Sequence, residues 1–269
     1  MAPDLDPTER FLALMCGAER EVELDELALL IAAHANPRLS IVDERARLDA
    51  VAHAAPVASA EGVVVHLFAD LGFRGNTVDY YDPANSYLDV VLRRRVGIPI
   101  TLALLAVEVA RRRDVALRLV GMPGHVLIES DADRGTWWDP FDGGVALDRD
   151  GCEAIYRNIT GADARLDDAA LQPIGAFAVA ARMLANLQRV HHARRDRRSL
   201  AWVLRLRSHV PGVPITERRL LASTLAADGR FAEAATELDT LTTLAAEAGD
   251  AGLAEESAHG ATRLRARLN

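Results

Sequence analysis

The stretch Pro123-Gly124-His125-Val126-Leu127-Ile128, followed by Gly135-Thr136-Trp137-Trp138-Asp139-Pro140, decides the fold of this chain. Each half is a short apolar run with a turn-forming glycine before it, which is the pattern of two antiparallel strands joined by a short loop. Residues 116–120 form a similar short run just upstream. The sequence therefore predicts a small sheet of two or three antiparallel strands in the middle of the chain.

His125 begins one predicted strand, and Asp139 ends the next, 14 residues later (139 − 125). Antiparallel pairing would bring the two side chains together. A carboxylate that accepts a hydrogen bond from one ring nitrogen fixes the tautomer and leaves the other nitrogen as a base. Two other interpretations stay open. His125 could be an ordinary core residue whose ring nitrogens are hydrogen-bonded, and Asp139-Pro140 could initiate a turn.

A strongly apolar helix is predicted from Thr101 to Arg113, and Thr101 is the candidate nucleophile at its start. The helix dipole and unpaired N–H groups at that end would favour a nucleophile and an oxyanion hole. However, threonine is also a common N-cap, Pro99 suits a helix entry, and a hydroxyl ionises far less readily than a thiol. We therefore favour the capping interpretation. Within the same helix, Glu108 is predicted either to pair with an arginine, such as Arg94 or Arg95, or to lie on a partly exposed flank.

The two cysteines, Cys16 and Cys152, both fall in predicted helices and are expected to fill the core rather than act as nucleophiles. Two cysteines cannot form a structural zinc site unaided, and we expect neither a metal nor a cofactor. All 31 basic residues are arginines, which excludes a lysine Schiff base and a phosphate-loop lysine.

The formal net charge of −8 argues against general affinity for nucleic acid or an anionic membrane. The sequence contains no apolar run long enough to span a bilayer and no signal-peptide pattern, so we expect a cytoplasmic protein. Its oligomeric state does not follow from the sequence.

Helical periodicity dominates both ends of the chain, over residues 1–72 and again from about Pro173 onward. The C-terminal part can be drawn as two helix pairs. Ala201 and Ala234 are 33 residues apart (234 − 201), close to the tetratricopeptide period of roughly 34 residues. The alternative is an ordinary helical bundle.

Several motifs make this chain resemble the bacterial SirB-type proteins, which join a transglutaminase-like domain to tetratricopeptide-like C-terminal helices. The resemblance covers most of the sequence and is most specific at 94–102 (RRVGIPITL), 121–125 (GMPGH) and 139–144 (DPFDGG), with weaker matches at 24–32 (LDELALLIA), 72–76 (GFRGN) and 81–88 (YDPANSYL). The resemblance implies that His125 and Asp139 occupy the triad positions of transglutaminase-like enzymes. It also implies that Thr101 or its immediate neighbour occupies the cysteine position, where the SirB-type family commonly carries serine or threonine.

We therefore expect an α+β fold that is mostly helical: a transglutaminase-like (papain-like) core with a small antiparallel sheet at residues 1–165, then a repeat-like helical domain at 170–269. Because the nucleophile is missing, we expect a non-catalytic interaction or regulatory module that binds a protein or peptide through the helical tail. The alternative is an amidase or acyl-transferase that uses the His125–Asp139 pair with Thr101 as nucleophile.

Overall fold

The structure is a computed structural model that describes residues 6–132, 134–161 and 163–268, and it divides into two compact units, Met1–Val179 and Ala180–Asn269. The division falls inside one helix, Ala176–Ala193. The predicted fold class is confirmed, because the chain is mostly helical with a small antiparallel sheet and a helical C-terminal region. Among the described residues, no helix is both long and apolar enough to cross a membrane.

The helices of the first unit surround a short sheet. They are α1 (Pro7–Cys16), α2 (Leu24–Ala35), α3 (Ile41–His53), α4 (Ala60–Val64), α5 (Leu88–Arg94), α6 (Pro99–Arg111) and α7 (Arg149–Thr160). A π-helical segment, Val65–Asp70, continues α4, and short 3₁₀ segments lie at Glu19–Glu21, Pro83–Ser86 and Asp168–Leu171. The helix predicted from Thr101 to Arg113 is therefore present, two residues earlier at each end, and α1 to α4 lie in the region 1–72 where helical periodicity was predicted.

The sheet has one strand more than predicted. After two short parallel strands, β1 (Arg74–Gly75) and β2 (Val96–Gly97), come β3 (Leu117–Val120), β4 (Leu127–Ser130), β5 (Trp137–Asp139) and β6 (Val145–Leu147). The last four form an antiparallel meander in chain order. Strand β6 was missed because its three residues are partly exposed and show no apolar alternation. Asp142-Gly143-Gly144 lies in the tight connection between β5 and β6.

Helix α6 is the central helix of the first unit. It begins after Ile98, has Pro99 in its first turn, and buries nearly all of its residues. It packs against β3 and β4 of the sheet and also against α2, α3, α4 and α5. Because it is apolar on almost every face, it is stable only when enclosed on all sides.

The other end of α6 holds a buried charge, Glu108. Glu108 is buried, so the interpretation that placed it on a partly exposed flank is wrong. It pairs with arginines, as the other interpretation predicted, although not with Arg94 or Arg95, which were named as examples. Its carboxylate accepts hydrogen bonds from Arg111 at 2.9 Å and from Arg112 at 2.6 Å, which lie three and four residues further along the same helix. This is the spacing at which helical side chains are neighbours, so a local pairing rule would have found these partners.

Arg112 links Glu108 to two more carboxylates, those of Asp25 in α2 and Asp49 in α3. Asp25 is fully buried, and the Arg112 side chain is nearly so. Burial alone would lower the pKa of Arg112, but its hydrogen bonds to Asp25 and Asp49 outweigh that effect and raise the pKa above its ordinary value. The network ties three helices together through one permanently charged guanidinium.

The second unit consists of helices throughout its described residues. After α8 (Ala176–Ala193) come α9 (Arg197–Arg207), α10 (Glu217–Ala227), α11 (Phe231–Glu247) and α12 (Ala251–Arg265). From α9 to α12, each helix packs on the one that follows it in the chain. Ala201 and Ala234, the two residues used to estimate a repeat period, are both buried in one apolar cluster of this unit.

Candidate functional site

The His125 and Asp139 side chains meet, as the strand pattern predicted. His125 Nε2 lies 2.9 Å from Asp139 Oδ2, and both side chains are about nine-tenths buried. Asp139 is the last residue of β5, and His125 lies two residues before β4 begins, so the histidine precedes the strand it was predicted to start.

This contact fixes the histidine tautomer. An ionised carboxylate only accepts hydrogen bonds, so Nε2 must carry the proton and Nδ1 of the neutral ring is the acceptor nitrogen. The pair therefore has the chemical form of a base that is oriented by a carboxylate.

The second oxygen of Asp139 builds a turn. Oδ1 accepts the backbone N–H of Phe141 at 2.9 Å and that of Asp142 at 3.4 Å, and the Asp139 carbonyl accepts the N–H of Gly144 at 2.8 Å. The two interpretations of Asp139 that the sequence left open, a histidine partner and a turn initiator, are therefore both present. One carboxylate fulfils each role with a different oxygen.

Thr101 does not cap its helix, so the favoured prediction for this residue is wrong. The N-cap is Ile98, and Thr101 is the third residue of α6, with its side chain completely buried. Its hydroxyl donates to the backbone carbonyl of Asn85 at 2.9 Å. A hydroxyl has a single proton. The proton that a base would have to remove is thus already committed to a peptide carbonyl, which is not a base.

Asn85 organises the segment that covers the start of α6. Its amide group donates to the carbonyls of Asp79 at 2.8 Å and Tyr80 at 3.2 Å, and its Oδ1 accepts from Asn76 Nδ2 at 2.9 Å. The side chain is almost fully buried. Together with the Thr101 hydroxyl, these bonds fasten residues 76–85 onto α6. In the sequence, Asn85 stands out only as part of the 81–88 motif, and no role was predicted for it.

Phe141 lies beside the His–Asp pair. Its ring centroid is 6.2 Å from that of His125 and 5.8 Å from that of Tyr80, both in edge-to-face arrangements. Gly75 makes room for it: the Gly75 N–H donates to the Phe141 carbonyl at 3.0 Å, and an added Cβ would lie 2.5 Å from the Phe141 ring. The glycine in the 72–76 motif is therefore explained by the close approach of Phe141.

The backbone at the start of α6 is also committed. The N–H groups of Thr101 and Leu102 both point to the Ile98 carbonyl at 3.1 Å. These are the groups that the nucleophile hypothesis would have used as an oxyanion hole.

No thiol compensates for Thr101. Cys152 is buried on α7, and burial raises the pKa of its thiol to about 11, so it is protonated at neutral pH. Cys16 ends α1. Within the described ranges, no group of three or more histidine, cysteine, aspartate or glutamate side chains is placed to hold a metal ion.

A cavity of about 840 Å³ opens at the other end of the β4–β5 hairpin from the His–Asp pair. Ser130 at the end of β4, Thr136 before β5 and Trp138 line it, and neither His125 nor Asp139 does. The cavity and the pair are thus separate features of the first unit.

Comparison with known proteins finds a match to the family model described as the transglutaminase-like superfamily over residues 22–185. A UPF0162 protein of Xylella fastidiosa (strain Temecula1 / ATCC 700964) is 42% identical over 130 residues, 47% of this chain and 46% of that protein. The chain therefore spans less than half the length of that relative. UPF0162 protein PA3419 of Pseudomonas aeruginosa is 30% identical over 199 residues, 70% of this chain and 72% of that protein.

F-box only protein 21 of Mus musculus is 43% identical over 77 residues, 28% of this chain and 12% of that protein. No solved structure matches the chain.

Proposed function

The chain belongs to the transglutaminase-like superfamily, and we propose that it is a non-catalytic member that acts as a protein-interaction or regulatory module. The observation that supports this most directly is the hydrogen bond from the buried Thr101 hydroxyl to the Asn85 carbonyl at 2.9 Å. The resemblance assigns Thr101 to the nucleophile position. A nucleophile there would have to break this bond and become exposed before it could reach a substrate.

The chemistry of a hydroxyl makes that change unfavourable. Serine and threonine attack a carbonyl only when an adjacent base takes their proton. Here the hydroxyl proton is donated to the Asn85 carbonyl, which cannot act as a base. Leaving a buried carbonyl without its donor costs about 1–3 kcal/mol, and catalysis would add the cost of opening the segment above Thr101. We conclude that Thr101 has become part of the fold.

The interaction role rests on the second unit. We propose that its helices are tetratricopeptide-like, as in the SirB-type proteins that the sequence resembles, and that they bind a protein or peptide. Consecutive helices pack on one another, and the tight turn at Gly229 has the positive φ of 78° that glycine adopts readily. Ala201 and Ala234 share one buried cluster at the spacing of one repeat. We place this module in the cytoplasm.

A hydrolase is the second candidate, and the 2.9 Å contact between His125 and Asp139 favours it. In that case the pair would activate Thr101 or a water molecule for attack on an amide or ester. The two candidates make opposite predictions for His125.

The first experiment measures turnover. Wild type, His125→Ala and Asp139→Asn are assayed for ammonia release and methylamine incorporation on a glutamine-containing peptide, and for hydrolysis of an activated ester. We expect the three proteins to be indistinguishable. Turnover that disappears in His125→Ala, with the circular dichroism spectrum unchanged, would establish the hydrolase.

A second experiment tests access to position 101. In a Cys16→Ser background, which removes the exposed cysteine, Thr101→Cys is treated with iodoacetamide. We expect no alkylation of the folded protein, because the site is completely buried. Rapid alkylation that slows in a His125→Ala variant would show that the triad frame is open and active.

The interaction itself is tested by photo-crosslinking the full chain in a bacterial lysate and mapping the crosslinks by mass spectrometry. Crosslinks to a partner are expected from residues 180–268. A partner crosslinked only through residues 6–179 would contradict the assignment of binding to the second unit.

A further inference from the structure

A groove of about 410 Å³ lies between α10 and α12, and we call it the α10–α12 groove. Small side chains open it: Ala222, Ser223 and Ala226 on α10, and Ser257 and Gly260 on α12. These positions recur at three- and four-residue intervals, so each set forms one face of its helix. Leu238 from α11 also lines the groove and gives it an apolar surface.

Gly260 shows how closely α12 approaches α11. A Cβ added there would lie 2.8 Å from Leu238 Cδ1. The small residues therefore do two things: they let α12 pack tightly on α11, and they leave the space beside α10 unfilled.

The charges on this groove are opposite in sign to the chain as a whole. Arg219, Arg263 and Arg267 line it together with one acid, Glu256, which gives a local formal charge of +2 (3 − 1). The whole chain has a formal charge of −8. Glu256 is already paired with Arg219 at 2.7 Å. The groove thus presents a localised positive field on an acidic protein, which attracts anionic groups selectively.

Two of these arginines, Arg263 and Arg267, are not neutralised by a carboxylate among the described residues. Arg263 has no hydrogen-bond or ion-pair partner in the part of the chain that the structure describes. Arg267 lies over the ring of Phe231, with its guanidinium carbon 4.6 Å from the ring centroid, which orients the group without neutralising it. A carboxylate is the group that a guanidinium binds with the best geometry, through two parallel hydrogen bonds.

Ser257 is a second and independent indication of a ligand. The residue is 97% buried (3% exposed) and its hydroxyl has no hydrogen-bond partner among the described residues. Buried polar groups are almost always satisfied, so an unpaired one in a lined groove needs an explanation. An acceptor on a bound ligand would satisfy it.

We propose that the α10–α12 groove binds an acidic peptide segment, whose side-chain carboxylates pair with Arg263 and Arg267 while its backbone lies along the small-residue faces. This deepens the proposed function and rests on it, because it names the chemistry of the partner. The lining residues run from Glu256 on α12 to Arg267, two residues beyond its end, which is roughly 16 Å at 1.5 Å per residue. An extended peptide covers that length in about five residues. A peptide therefore fits the groove better than a single small anion.

The probe is a fluorescein-labelled twelve-residue peptide with a blocked C-terminus that repeats glutamate, leucine and alanine. Binding to the full chain is measured by fluorescence anisotropy. The matched probes replace each glutamate by glutamine or by arginine. We expect the glutamate peptide to bind at least about tenfold more tightly than the glutamine peptide, and the difference to shrink at high salt. Equal affinities for the two peptides would overturn the proposal.

Variants of the chain locate the site. Arg263→Ala and Arg267→Ala should each weaken binding about tenfold, whereas Arg198→Ala, an exposed arginine on α9, should not. Glu256→Gln should tighten binding, because it removes the competing carboxylate. Ser223→Trp should abolish binding by filling the groove without changing its charge, and Ser223→Ala is its control. Unfolding curves of every variant separate loss of binding from loss of fold.

Three other outcomes would each contradict a different part of the proposal. If Arg198→Ala weakens binding as much as Arg263→Ala, the attraction is general and the groove assignment is wrong. If a glutamine peptide with a free C-terminus binds as well as the glutamate peptide, the terminal carboxylate and not the acidic side chain is recognised. If no acidic peptide binds but lysate crosslinks still map to residues 180–268, this inference fails and the proposed function stands.

Discussion

The two polar clusters of this chain differ in where their hydrogen-bonding capacity is used. In the first unit, Thr101 Oγ1, Asn85 and both oxygens of Asp139 are all bonded within the protein. In the α10–α12 groove of the second unit, the Ser257 hydroxyl has no partner among the described residues and Arg263 is exposed. The first cluster resembles an active site in its residue types, yet its bonds serve the fold. The second has no catalytic residue types, yet it has capacity left for a ligand.

This contrast implies a general rule for interpreting such sites. Residue identity shows what chemistry a site could perform, whereas unused donors, acceptors and charges show what it can still bind. If the rule holds here, substitutions in the first unit should reduce stability, and substitutions in the groove should reduce binding.

The largest effect is expected in the buried network of the first unit. Arg112→Met removes one cation from each of two buried carboxylates: Asp25 keeps Arg45 at 3.1 Å, and Glu108 keeps Arg111 at 2.9 Å. We therefore expect a loss of about 3 kcal/mol in the free energy of unfolding, at the low end of the range for breaking a buried ion pair. The matched control is Arg94→Met, which removes an exposed pair with Asp82 and should change it by less than about 1 kcal/mol. Urea unfolding measures both. Similar effects for the two variants would show that the network is not a structural element.

A smaller loss is expected where Phe141 crosses Gly75. Gly75→Ala would place a Cβ 2.5 Å from the Phe141 ring, and overpacking of this kind costs about 1–3 kcal/mol. The control is Gly252→Ala near the start of α12, where the closest atom outside the helix is 3.7 Å away. That variant should be neutral or slightly stabilising. If Gly75→Ala is as stable as wild type, the Phe141 ring is not tightly packed against residue 75.

Thr101→Val tests the comparison directly, because valine keeps the shape of threonine and removes its proton. We expect a loss of about 1–3 kcal/mol, since the Asn85 carbonyl would be buried without its donor. The control is Thr224→Val, because the Thr224 hydroxyl donates only to the Leu220 carbonyl of its own helix. This variant should change stability by less than about 0.5 kcal/mol. If Thr101→Val is as stable as wild type, Thr101 is not a structural residue.

The sequence predicted those features that depend on local pattern. Apolar periodicity predicted the helices at both ends of the chain and the helix near residues 101–113. The glycines at 124 and 135 predicted the β4–β5 hairpin with His125 beside Asp139. These patterns act over a few residues, so one sequence is enough to read them.

What the sequence did not predict depends on distant partners or on shared atoms. The Thr101 hydroxyl bonds a carbonyl 16 residues away, and nothing in the local sequence distinguishes that from a helix cap. Asp139 was treated as having one of two roles, although its two oxygens allow both. The groove arises from small residues on α10 and α12, which look in sequence like ordinary alanine-rich helix faces. The space between them exists only once the helices are packed.

The smallest effect concerns His209, a residue of the second unit whose bonds, like those of the first cluster, are used internally. Burial lowers the pKa of His209 from its ordinary value of 6.5. The ring bonds the Arg205 carbonyl through Nδ1 at 2.8 Å and meets Arg218 through Nε2 at 3.1 Å, while Arg218 also pairs with Glu237. A proton on Nε2 would therefore face an arginine that donates to the same atom.

The sign of the pH effect follows from this lowered pKa. Below pH 6.5 the unfolded chain takes up a proton at His209 that the folded chain still refuses, so the free energy of unfolding should be constant above pH 7 and should fall as the pH drops below 6.5. Burial lowers the pKa of His191 as well, which acts in the same direction. Urea unfolding at pH 8, 6.5 and 5.5 measures the trend, and His209→Gln should have a shallower slope than wild type once both are referred to their values at pH 8. If wild type instead becomes more stable on acidification, His209 takes up a proton on folding. That result would contradict a lowered pKa for His209 in the folded protein.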